Sequence, residues 1–299
     1  MTITSLLANA GGRVCRLAAL AVAGSAALAG CGPGGGADSG GGAPEVMVFA
    51  AASLRDAALE LGPLFAGSTG TDVRYNFAGS NDLAQQILAA PKADVFLSAN
   101  ESWMDTVEAA GRLAPGTRSA FLSNRLVVVA RPDSPHRVAR PEDLATLPYR
   151  HLAIANPDAV PAGIYAREWL AALPAPGDGS LWDAVAPRMV PALDVRSALG
   201  LVESDPEVIG IVYRTDAAAS RRAEVIYEVP AAEGPAIRYA AAAVAGGPNP
   251  PAARRFVAFL AEPEAAAVLR RHGFTVGGGA PAASDPAAAE PPAAGSGDG

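Results

Sequence analysis

Apolar and polar positions between residues 45 and 275 alternate between two periods. Short apolar runs are each followed by a stretch with helical spacing: "VMVFA" (46–50) precedes 54–65, "VRYNF" (73–77) precedes 83–90, and "DVFLS" (94–98) precedes 103–110. "RLVVVA" (125–130) reads as a buried strand, after which the pattern restarts. "HLAIA" (151–155) leads to a helix from Ala162, "VPALD" (190–194) to one from Val195, and "VIGIVY" (208–213) closes the second series. A late run, "IRYAAAAVA" (237–245), precedes a final helix over 252–260. Strands alternating with helices predict an α/β fold with largely parallel sheets. Two successive series, with a late strand able to return to the first, predict two lobes: 45–124 plus 240–275, and 125–239. A cleft between lobes is the default place for a ligand.

The N-terminus follows a different pattern. Arg13 and Arg16 precede an apolar run, "LAALAVAGSAALAG" (17–30), whose 14 residues suit a signal peptide and fall short of a membrane span. The junction "LAGC" (28–31) resembles the lipobox of bacterial lipoproteins, which implies a leader over 1–30 and a diacylated Cys31. Cys15 leaves with that leader, so no disulfide is expected. "GPGGGADSGGGAP" (32–44) then reads as a flexible tether over 31–44. The alanine-, glycine- and proline-rich end, 276–299, has no periodic apolar pattern and predicts a disordered tail. The protein is thus expected to be exported and anchored to the outer face of the cell membrane as a lipoprotein, or else periplasmic.

Charge narrows the partners. The full chain of 299 residues carries a formal net charge of -7, and loss of two leader arginines leaves 21 basic against 30 acidic residues. An acidic surface is a poor match for nucleic acid.

Four helix starts carry the candidate chemistry. Ser53 precedes "LRDAALEL", with Asp56 at capping-box spacing; Ser80 precedes a helix with Leu83 and Ile87 on one face. Pro161 suits a first helical position, where its missing donor costs nothing and Ala162 supplies the first free N–H. Asp194 is placed to cap a helix whose Val195, Leu199 and Val202 share a face. Each start offers free backbone donors and the positive end of a helix dipole, an anion site that needs no cationic side chain. The alanines before Ser53 keep the approach to one such site free of bulk.

Read together, "VFAAASLRDA", "FAGSNDLAQQI", "ADVFLSANESWMD", "LVVVA", "VPAGIYAREWL", "DVRSALGLVE", "GIVYRTDA" and "RRHGF" resemble, in order, the periplasmic molybdate-binding proteins of ABC transporters. The resemblance covers nearly all of 45–275. It implies a two-lobed, type II periplasmic-binding-protein fold that holds a tetrahedral oxyanion between the lobes with neutral donors. By this likeness Ser53 and Ser80 contribute hydroxyl and backbone N–H, Ala162 and Val195 contribute backbone N–H, and Tyr213 contributes its phenol. Molybdenum then enters as the oxyanion, with no side chain coordinating the metal and no cofactor beyond the ligand, molybdate or tungstate. The implied partner is an ABC permease, served by a monomer. Asp82 and Asp194 place acids beside two of these helix starts; turned outward they are solvated and favour the dipole, turned inward they repel an anion.

Other readings have less support. A serine hydrolase needs a base, and His136, His151 and His272 stand near no "GxSxG" elbow. There is no "HExxH", no paired "CxxC" and no phosphate loop, and the single lysine, Lys92, lies in a polar turn, so no enzyme is expected. A binding protein of the same fold for sulfate, phosphate or an organic acid is the nearer rival, because fold does not fix ligand. Organic acids call for an arginine clamp, which the five positions lack. A transcriptional ligand-sensing domain lacks its helix-turn-helix. Trp103, Trp169 and Trp182 read as helix-face core residues, and Arg196, able to form a salt bridge or to steer anions, reads as surface structure.

Overall fold

The computed structural model of the protein describes residues 43–277; the leader, Cys31, nearly all of the tether and nearly all of the tail lie outside the described residues. The first series folds as β1 (Glu45–Ala51), α1 (Arg55–Thr69), β2 (Asp72–Ala78), α2 (Ser80–Ala89), β3 (Val95–Ser98), α3 (Glu101–Ala109) and β4 (Ser119–Ser123). The second runs through β5 (Leu126–Ala130), α4 (Asp143–Thr146), β6 (His151–Ala155), α5 (Pro161–Ala171), α6 (Leu181–Val185), β7 (Met189–Ala192), α7 (Val195–Ser204), β8 (Val208–Tyr213), α8 (Arg214–Ala219) and β9 (Glu224–Glu228). The chain then returns through β10 (Arg238–Ala243), α9 (Pro250–Phe259), α10 (Pro263–Arg271) and β11 (Thr275–Val276).

Two sheets result, in the orders β11-β4-β10-β3-β1-β2 and β7-β6-β8-β5-β9. β1 pairs in parallel with β2 and β3, and β6 in parallel with β7 and β8, while β10 and β5 run antiparallel to their neighbours. The chain crosses between sheets at 124–125 and again between β9 and β10. β1 shows why such a strand reads as a continuous apolar run: Val46, Val48 and Ala50 enter one buried cluster, and Phe49 enters another on the opposite face.

Details depart from the sequence reading at the boundaries. Arg238 and Tyr239 pair with β4 in the first sheet, so that sheet takes up the returning chain before residue 240. Val276 pairs with Leu122, which moves it from the expected tail into a strand, because an unpaired edge there offers backbone partners. β4, β9 and α10 are not expected from the apolar pattern; the first two are five residues each and only partly buried. Among the described residues no helix is long and apolar enough to cross a membrane.

Candidate functional site

Ser53, Ser80, Ala162, Val195 and Tyr213 all line one small cavity between the two sheets' lobes, together with Ala51 and Ala52. Each of the five is at most 3% exposed. A larger groove of about 730 Å³ lies between β4 and the pair α9–α10 and contains none of them.

The helix starts are built in four ways. At α1 the capping-box expectation fails: a 3-10 turn over Ala52–Leu54 feeds directly into the helix and Ser53 makes no cap. Its hydroxyl instead meets the Tyr239 hydroxyl at 2.9 Å, and Asp56 turns to Arg196. At α2 the N-cap is Gly79, and Ser80 is the first helical residue; its Oγ accepts from the Ala99 N–H at 3.0 Å rather than capping its own helix. At α5 Pro161 occupies the first turn as expected, and the start is pressed against β6. A Cβ on Gly163 would collide with the Ala155 carbonyl, so glycine lets α5 bring the Ala162 N–H to the cavity wall. At α7 Asp194 caps by accepting from the Ser197 N–H at 2.7 Å, which leaves the N–H of Val195 without a partner from its helix.

The acids beside two starts are accounted for. Asp194 itself lines the cavity, with Oδ1 of its carboxylate accepting from the Ser197 N–H, while Asp82 is exposed and accepts from Asn81. No lysine, arginine or histidine lines the cavity among the described residues. The Tyr213 hydroxyl is buried near the Tyr239 hydroxyl but outside hydrogen-bond geometry with it, and no other group among the described residues partners it. Burial holds its pKa well above the ordinary phenol value, so it keeps its proton as a donor. An orphaned buried hydroxyl facing a cavity ringed by helix starts fits a small dehydrated anion, which would supply the missing acceptor.

Two contacts join the lobes beside the cavity. Arg196, next to Val195 on α7, is not surface structure: it pairs with Asp56 on α1 across the cleft, and its Nε lies 2.5 Å from Oδ1 of the fully buried Asp216. The Nε pair is a close ion pair without hydrogen-bond alignment. Burial pushes the Asp216 carboxyl up to about 7, against the opposing pull of Arg196. Trp103 also exceeds its expected role, since its indole N–H donates across the cleft to the Ala159 carbonyl at 2.8 Å. Trp169 is buried core as read, and Trp182 is partly buried beneath the Arg167 guanidinium.

Two α/β lobes closed on a cavity lined by helix starts and by no cationic side chain define a solute-binding protein, and comparison places it. The family described as bacterial extracellular solute-binding protein matches residues 46–275, and the chain belongs to that family. It is 38% identical to the molybdate-binding protein ModA of Escherichia coli over 236 residues, which are 78% of this chain and 89% of that one. The periplasmic molybdate-binding protein of Azotobacter vinelandii superposes with a TM-score of 0.67 at 25% identity, over 77% of this chain and 98% of that one. The sulfate-binding protein SubI of Mycobacterium tuberculosis superposes with a TM-score of 0.68 at 18% identity, over 77% of this chain and 86% of that one, a likeness of fold alone. The fold is thus the two-lobed type II periplasmic-binding architecture.

Proposed function

We propose that the protein captures molybdate, and tungstate with it, between its lobes and delivers it to an ABC permease without chemical change. Ser53, Ser80, Ala162, Val195 and Tyr213 hold the oxyanion by hydrogen bonds alone. The observation that carries this reading is the cavity itself: helix-start donors and one unpartnered phenol, with no cationic side chain. The identity to molybdate-binding relatives supports molybdate over sulfate, whose shorter bonds to oxygen would stretch several hydrogen bonds at once in a rigid site. Tungstate, nearly the size of molybdate, is expected to compete almost equally.

Calorimetric titration with molybdate, tungstate, sulfate and phosphate tests the reading. Because ligand binds the closed native state, stability should also rise by about 2.7 kcal/mol at a hundredfold excess over the dissociation constant. A melting curve unmoved by saturating molybdate but raised by sulfate would transfer the site to the rival ligand.

Anchorage through Cys31 belongs to the same reading and rests on the "LAGC" junction. Two acyl chains give a stable hold on a bilayer. Cys31→Ala should therefore move the protein from the membrane fraction to the soluble one; sedimentation with membranes as before would remove the lipid anchor from the proposal.

A further inference from the structure

The hydroxyl of Ser53 ends a hydrogen-bond chain that begins at the crossing between the lobes. Asn124, between β4 and β5, accepts the Arg125 N–H on its Oδ1 at 2.9 Å. A backbone N–H only donates, so this contact fixes the amide orientation and turns the Nδ2 hydrogens the other way. They serve Thr215 Oγ1 at 2.9 Å and the Tyr239 hydroxyl at 3.2 Å. Tyr239 is fully buried, and its oxygen already receives a hydrogen from Asn124. The Tyr213 hydroxyl also lies near but outside hydrogen-bond geometry, so the single hydrogen of Tyr239 goes to Ser53 Oγ, at 2.9 Å. Ser53 is left with a hydrogen that nothing else among the described residues accepts, beside the cavity.

We propose that Asn124 and Tyr239 are specificity-determining positioning residues, which run this chain of hydrogens one way and so make Ser53 a donor to the bound oxyanion. The proposal rests on the oxyanion reading of the cavity. Its force lies in counting hydrogens. If a ligand donated a proton to Ser53, one hydrogen along Ser53–Tyr239–Asn124 would lose its acceptor, because the far end presents an amide NH₂. A buried, unpaired polar group is costly, so the chain selects against hydrogenphosphate and leaves fully deprotonated dianions unaffected. Ser80 is not part of this chain, since its oxygen is engaged by the Ala99 N–H.

Asn124→Asp supplies an acceptor at the far end. Arg125 and Arg214 border the same recess and favour the ionised carboxylate. Tyr239 can then donate to the introduced carboxylate and accept from Ser53, which frees Ser53 to accept a ligand proton. Sulfate and phosphate are similar in size and differ in the proton, so the readout is their affinity ratio, measured by competition against molybdate at pH 7 and fixed ionic strength. In Asn124→Asp, phosphate should gain about tenfold or more relative to sulfate, while the added charge weakens all dianions together. The gain should vanish when Asn124→Asp is combined with Tyr239→Phe, where the chain is cut, with melting temperature measured for both variants. An unchanged ratio in Asn124→Asp, or a gain that survives Tyr239→Phe, overturns the proposal even where wild-type protein binds molybdate. Failure of the wild type to bind any of the three anions removes the oxyanion reading and the proposal with it.

Discussion

Arg196→Ala should destabilise the protein by about 3 to 5 kcal/mol at pH 8, the usual loss when one partner of a buried ion pair is removed. The partner left behind is Asp216, which has no exposed side-chain surface. The Asp56 arm adds little to that figure, because its side chain is 41% exposed and screened by solvent. The effect should depend on pH in a defined direction. Burial raises the folded-state pKa of Asp216 from 3.8 to about 7, so the stability linked to its neutral form is fully present below the unfolded value and is lost as pH rises through about 7. Above that value the wild type holds an ionised pair and the variant must bury an acid alone. At pH 5 Asp216 is already neutral in the wild type, and Arg196→Ala should cost much less. Denaturant unfolding at pH 5 and pH 8 checks this, and combining Arg196→Met with Asp216→Asn should recover most of the loss at pH 8. Equal destabilisation at both values would mean that Asp216 does not titrate against Arg196. Because the same side chain bridges α7 to α1, the variant should also close less readily and bind molybdate more weakly.

That ion pair marks the limit of what the amino-acid pattern reveals. Apolar period places the strands that are buried on both faces, such as β1 and β8, and turn chemistry places Pro161 at the start of α5 and Asp194 as the cap of α7. Those signals are local, within a few residues of each other. The roles of Ser53 and Arg196 are not local: their partners lie 186 residues away at Tyr239 and 140 away at Asp56. Capping-box spacing at Ser53 and Asp56 therefore reads as a helix start, although each side chain is claimed by a distant residue. Tyr239 does carry one signal, as a lone polar-tipped aromatic at the head of an alanine-rich strand that has to find a partner for its hydroxyl. The small residues of "AAAS" and "PAG" are legible for a steric reason, because a helix start can approach a ligand only where side chains are short.

Ser53→Ala, Ser80→Ala and Tyr213→Phe are each expected to weaken molybdate binding about 10- to 150-fold, since a hydrogen bond to a charged group contributes roughly 1.5 to 3 kcal/mol. Their effects on the free protein should differ in sign and so separate binding from folding. Tyr213→Phe deletes a buried hydroxyl without hydrogen-bond geometry to any group among the described residues, so the unliganded protein should be as stable as the wild type or more stable. Ser80→Ala deletes the acceptor of the buried Ala99 N–H and should cost roughly 1 to 3 kcal/mol of stability besides its loss of affinity. Ser53→Ala is intermediate, because Tyr239 loses its acceptor but keeps the hydrogen bond it receives from Asn124. Titration gives the affinities and thermal melts without ligand give the stabilities. Wild-type binding in all three variants would remove these residues from the site. A Tyr213→Phe protein that loses stability without ligand would mean that its hydroxyl is satisfied within the fold rather than held for the anion.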